Sequence, residues 1–225
     1  MRRVRAGATA GSPSTRGRID KRQAILDAAF VIFAREGYAQ ASVDAIAAEA
    51  GVAKPTIYNH LGGKENLFLH AMTATAEKAT ARSLAVVSRL AVDVADLHTA
   101  FADVGEALLG CYCSEESWAL RRLLHAEIVR FPELFDAIGA SGPDQVGEAF
   151  ADRLARLALA GRLRLTDPVE AAEQFLALLT GPVASRSALG TRPLGEEQLR
   201  RVAEVATTTF LRAFAAMPVG LPDIE

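Results

Sequence analysis

The 225-residue chain predicts an all-α protein of about nine helices, with an N-terminal three-helix domain containing a helix-turn-helix and then a helical bundle. Three observations carry that prediction. Half of the residues are apolar but only 6% are aromatic, the excess lying in Ala, Leu and Val. Apolar residues recur every three or four positions, and no long alternating run marks a strand. Gly and Pro fall where these periodic stretches stop. The expected division is a disordered basic arm over 1–17, the helix-turn-helix domain over 18–67 and the bundle over 68–225.

Residues 1–17 hold Arg, Gly, Ser, Thr and Pro with nothing to bury. Such an arm either reaches a DNA minor groove or is a free terminus. From Arg18, the residues Ile25, Ala28, Ala29, Ile32 and Phe33 share one helical face, and Gly37 supplies a stop. Ser42 precedes Val43-Asp44-Ala45-Ile46-Ala47 as an N-cap, with Asp44 in the first turn, where the helix dipole favours an acid. This second helix is short, ending near Ala50. Gly51 permits the positive φ of a tight turn, and Pro55 suits the first turn of the next helix, Lys54 to His60. Gly62-Gly63 then breaks the chain before a long helix from Lys64 towards Arg89.

Five further helices follow. They are marked by Leu97, Phe101, Val104 and Leu108; by Trp118, Leu120, Leu123, Leu124 and Ile128, ending at Pro132; and by Val146, Phe150, Leu154 and Leu157, ending near Gly161. Pro168 opens the next after Asp167, running to about 189, with Gly181-Pro182 kinking or ending it; the last spans about 195–216.

Charge is uneven along the chain. Residues 1–70 carry ten Lys and Arg against six Asp and Glu, leaving 15 against 21 beyond, so a basic head joins an acidic body. That head suits phosphates. Gly7 to Thr15 is too polar for a signal peptide, and charges break every stretch long enough to span a bilayer, so the expectation is a soluble, cytoplasmic protein with no membrane partner. Cys111 and Cys113 point to nearly opposite sides of a helix, which disfavours a shared ion or a mutual disulfide.

Two short helices joined by a three-residue turn have helix-turn-helix geometry. A recognition helix needs polar side chains at its leading end and apolar ones behind. Lys54, Thr56, Tyr58 and Asn59 fit the first need; Val52 and Ile57 can pack on Ile46 and Ala47. On this reading Lys54, Thr56, Tyr58 and Lys64 face phosphates, while Asn59 and His60 face base edges or phosphates. The alternative is a plain helical hairpin in which Tyr58 and His60 are ordinary half-buried residues.

The same stretch resembles a known family. Ile46-Ala47, Ala50-Gly51-Val52 before the turn, Thr56-Ile57-Tyr58 in the recognition helix and Lys64-Glu65-Asn66-Leu67 opening the fourth helix are similar to the DNA-binding signature of the tetracycline-repressor (TetR/AcrR) family. Further on, Arg121-Arg122-Leu123-Leu124-His125, Phe131-Pro132-Glu133-Leu134-Phe135, Gly161-Arg162-Leu163 and Asp167-Pro168 resemble the AefR-like group of its C-terminal domains. The resemblance implies a homodimeric repressor of double-stranded operator DNA, released by a small, largely apolar ligand, with DNA contacts at Ser42, Lys54, Thr56, Tyr58, His60 and Lys64. It implies dimerisation through the last two helices as a four-helix bundle, and half-sites about one helical turn apart, roughly 34–36 Å or a multiple. Three positions depart from it. Ala53 lacks the usual capping hydroxyl, Leu61 stands for Phe, and Gly63 stands for a capping Ser or Asn.

For the ligand, the candidates are Phe101, Leu108, Tyr112, Trp118, Arg122, His125, Phe150 and Phe175, large or polar residues of the bundle. No cofactor is expected. His98, His125, Cys111 and Glu127 have no metal-ligand spacing, although a metal- or redox-responsive regulator, or a helical scaffold, remains an alternative. No G-x-S-x-G, P-loop or metal motif supports an enzyme.

Overall fold

The computed structural model describes residues 13–216. These form ten helices: α1 (Pro13–Gln40), α2 (Val43–Glu49), α3 (Lys54–Leu61), α4 (Lys64–Val87), α5 (Leu97–Tyr112), α6 (Glu115–Glu127), α7 (Glu133–Ser141), α8 (Pro143–Leu159), α9 (Pro168–Arg186) and α10 (Glu196–Phe214). No strand occurs among the described residues, only a single antiparallel bridge between Leu163 and Ala215. Of the expected arm, residues 1–12 lie outside the described residues, and the first helix begins at Pro13 rather than Arg18. Beyond the nine helices the periodicity marks, the structure adds the short α7.

The described residues pack as two compact units, divided between Ala71 and Met72. In the first, Gly37 takes φ 76 and ψ 160 and breaks the helical path of α1 where the sequence places a stop. Immediately after it the buried Tyr38 ring stacks on Phe33 at 5.9 Å and meets Phe68 edge-on at 4.9 Å, tying α1 to α4. Ile46, Ala47, Ile57 and Leu61 close the core between α2 and α3, each at most 5% exposed. Ser42 caps α2 by accepting from the Ala45 amide at 3.1 Å. At its other end Val52 N–H donates to Ala47 O at 3.0 Å and Gly51 N–H to Ala48 O at 3.2 Å. That pair of bonds is a Schellman turn, and it requires the left-handed φ of 63° that Gly51 adopts.

The second unit is a bundle whose interior holds one phenylalanine from each of four helices. Phe101 of α5 stacks on Phe210 of α10 at 5.4 Å, and Phe150 of α8 stacks on Phe175 of α9 at 5.2 Å. Edge contacts join the two pairs, Phe101 to Phe175 at 5.5 Å and Phe175 to Phe210 at 5.1 Å. Truncating one such ring costs about 3–5 kcal/mol in a packed core. Asp96, Ser114 and Asp167 cap α5, α6 and α9 with their side chains. Pro182 does not end α9, which continues to Arg186.

Candidate functional site

The recognition helix is built from local chemistry. Pro55 sits in the first turn of α3, and Ala53 at its N-cap makes no side-chain bond. The turn is held instead by Thr56 N–H donating to the Ala53 carbonyl at 2.8 Å. A Ser or Thr cap in that place stabilises a helix by about 1 kcal/mol. Ile57 and Leu61 face inward, which turns Lys54, Tyr58, Asn59 and His60 to solvent, while Thr56 is half-buried. Tyr58 is 46% exposed, a large apolar ring left in water without structural need.

Two of the candidate cations have partners. Lys54 Nζ donates to Asp44 Oδ2 of α2 at 2.9 Å. That hydrogen bond and the carboxylate charge push the Lys54 ammonium above its ordinary value. Lys64 Nζ donates to the Ala39 carbonyl at 3.0 Å and lies 4.8 Å from the Tyr38 ring centroid. One of its three N–H groups therefore fastens the corner between α1 and α2, and two remain for an anion. The hydroxyl of exposed Ser42 is already the α2 cap. Sequence spacing alone did not reveal the Asp44 partner, ten residues from Lys54.

The second unit holds a half-open cavity of about 450 Å³ among α4, α5, α6, α7, α8 and α9, within the usual size of a small-molecule site. Of the eight sequence candidates, Leu108, Tyr112 and His125 line it. Five do not. Phe101, Phe150 and Phe175 are the aromatic core described above, because the apolar face of a helix packs first on its neighbours. Trp118 lies behind the wall, its ring under the Arg121 guanidinium, with Gly190 against its face. Arg122 is exposed and reaches back to Leu189 O at 3.4 Å.

Arg121 is the lining residue the sequence reading passed over. Its guanidinium carbon lies 3.8 Å from the Tyr112 ring centroid and 4.0 Å from that of Trp118, and one terminal nitrogen donates to Tyr112 O. Burial pushes its proton affinity down from the ordinary arginine value. The signal was available, since Ser117 and His125, each four residues away on α6, line the same cavity.

The groups weighed for metal or redox chemistry are not assembled. His98 lies 3.1 Å from Thr208 Oγ1 and 3.7 Å from Glu204, joining α5 to α10. No group of three or more His, Cys, Asp or Glu residues able to hold a metal occurs among the described residues. Cys111 and Cys113 are unpaired and half-buried, and burial pushes the Cys113 thiol up, away from the reactive thiolate. No helix among the described residues is long and apolar enough to cross a membrane.

Known proteins share this arrangement. Residues 25–71 match the family of bacterial regulatory proteins of the tetR type, and residues 99–216 match the C-terminal domain of AefR-like transcriptional repressors. The HTH-type transcriptional repressor AcnR of Corynebacterium glutamicum is 29% identical over 187 residues, 82% of this chain and 91% of that protein. A TetR-family regulator from Mesorhizobium loti superposes with a TM-score of 0.83 at 26% identity, over 91% of this chain and all of its own. The flavonoid-responsive regulator FrrA is 32% identical, covering 88% of this chain and 98% of its own, with a TM-score of 0.67. The enzyme and scaffold alternatives thereby fall away, and the chain belongs to the TetR family of DNA-binding transcriptional regulators.

Proposed function

We propose that this regulator is a homodimeric repressor that holds its operator through α3 and lets go when a small, largely apolar molecule fills the cavity of the second unit. The observation that carries the reading is the cavity itself, roomy and predominantly apolar within the helical bundle. The flavonoid response of the related FrrA supports a small organic effector. On the DNA side, Lys54, Thr56, Tyr58 and Lys64 serve phosphates, Asn59 and His60 serve base edges or phosphates, and Ser42, whose hydroxyl caps α2, meets the duplex at the start of that helix. A ligand shifts the balance only by its difference in affinity for the bound and released states. The residues 76–83 of α4 that wall the cavity belong to the same helix that Lys64 begins.

The test is fluorescence anisotropy on duplex DNA from upstream of the protein's own gene, across salt concentrations, with wild type, Lys54→Ala and Tyr58→Ala. Binding should weaken steeply with salt, and each variant should bind more weakly, Lys54→Ala with a salt slope lower by about one. Equal binding to random duplex, followed by an empty random-sequence selection, would overturn the assignment of this face.

A further inference from the structure

Resting on the cavity as the effector site, we propose that its ligand is an organic anion, a carboxylate on an apolar body, received by Arg121. The cavity wall is one-sided in charge. Among the described lining residues no Asp or Glu occurs, whereas Arg121 supplies a cation and His125, one turn away on α6, an imidazole. Two of the hydroxyls on the wall are spent on backbone carbonyls. Ser117 donates to Cys111 O at 2.9 Å and Thr180 to Leu176 O at 2.8 Å. Arg121 is not spent in this way. It has five N–H donors, one bond to the Tyr112 carbonyl, a buried Nε with no partner and no acid beside it. A cation drawn from water without a counter-ion is costly, and a group that supplies one on binding recovers that cost.

The rings also fix the geometry. With Tyr112 and Trp118 within about 4 Å of its guanidinium carbon, the fork is held in place rather than free to swing, which suits planar recognition of a carboxylate. Both rings meet edge to face at 5.4 Å, so the pair is itself packed. The rest of the wall is mostly apolar, Leu108, Leu120, Ile138, Val146 and Leu176 among it, with Thr80 and Ser83 among its few polar members. A ligand matched to this wall has one charged end and a hydrocarbon or aromatic remainder.

Two matched pairs of probes test this on the full chain: decanoate with decanol, and 4-phenylbutyrate with 4-phenylbutanol. Binding is read by calorimetry and by emission of Trp118, the single tryptophan, which lies under Arg121. At least one acid should bind about 10- to 100-fold more tightly than its alcohol, the range of a charged hydrogen bond. That preference should vanish in Arg121→Met and return in part in Arg121→Lys. Alcohols that match their acids in wild type would overturn the anion inference while leaving the effector cavity standing. Binding of no probe would overturn both. A preference that survives in Arg121→Met but is lost in His125→Gln would move the anchor and overturn the assignment to Arg121. Should Arg121→Met fail to fold, by circular dichroism, the wild-type comparison of acid with alcohol decides alone.

Discussion

Lys54, the first residue of the recognition helix, is bridged at 2.9 Å to Asp44 in the first turn of the helix before it. Asp44 serves two masters: its charge favours the N-terminus of α2, and it holds the Lys54 ammonium on the face proposed to meet phosphate. Both side chains are well exposed, so water and salt screen the pair. A phosphate therefore competes with Asp44 for Lys54 on nearly even terms. Asp44→Asn should leave the fold unchanged and tighten binding to duplex DNA, because Lys54 no longer has to leave a carboxylate to reach a phosphate. Anisotropy titrations of the two proteins at matched salt check it, and unchanged affinity would mean that Asp44 does not compete with DNA for Lys54.

The parts of this fold written in short-range chemistry were legible in the sequence. Ser42, Gly51 and Pro55 act on the backbone within a few residues of themselves, and each does in the structure what its type demands there. The bridge from Lys54 to Asp44 needs two helices already packed, so spacing could not show it. For Phe101, Phe150 and Phe175 the periodicity gives burial correctly but not the neighbour, and each other's rings took the place of a ligand. Arg121 and Arg122 differ by about 100° around α6. Which of them looks inward depends on the stripe through Ser117 and His125, visible once those two are set on one face. Helix α7 was missed because Pro132 reads as a stop, though Glu133 and Asp136 in its first turn are the usual acidic opening of a helix.

Asp96 gives a pH dependence with a defined sign. Its carboxylate caps α5, accepting from the His98 amide at 3.0 Å and from the Thr99 hydroxyl. The Thr99 bond, the largest influence, holds the acid below the ordinary carboxylate value, with burial opposing it. A group depressed in the folded state contributes stability above its unfolded pKa and loses it as pH falls through the folded one. Asp96→Ala should thus cost about 1 kcal/mol near neutral pH, the usual worth of a cap. The gap should close as pH drops below the carboxylate range, and Asp96→Asn, which can still cap, should keep most of the stability. Urea unfolding of the three proteins between about pH 7 and about pH 3 measures this, and a gap that stays constant with pH would show that the charge plays no part.

The proposed dimer can be tested on the helices assigned to it. Phe175 and Leu179 of α9 and Val202 and Ala206 of α10 are buried within the bundle. Other residues of the same two helices stay in water: Val205 is 42% exposed and Leu178 36%, beside exposed Ala177 and Gly181. Small residues at such positions let a second pair of helices approach closely, as a four-helix bundle requires. A two-fold interface is self-complementary, so one substitution enters it twice. Val205→Arg would then place two buried, unpaired cations across the axis, and the protein should sediment as a monomer while keeping its helical circular dichroism. Val129→Arg serves as the control, since Val129 is 94% exposed just past α6 and outside the proposed interface. The monomer should also bind full operator far more weakly than wild type, because two half-sites joined through one dimer act as a single bivalent target. Unchanged sedimentation of Val205→Arg would remove this face of α10 from the interface.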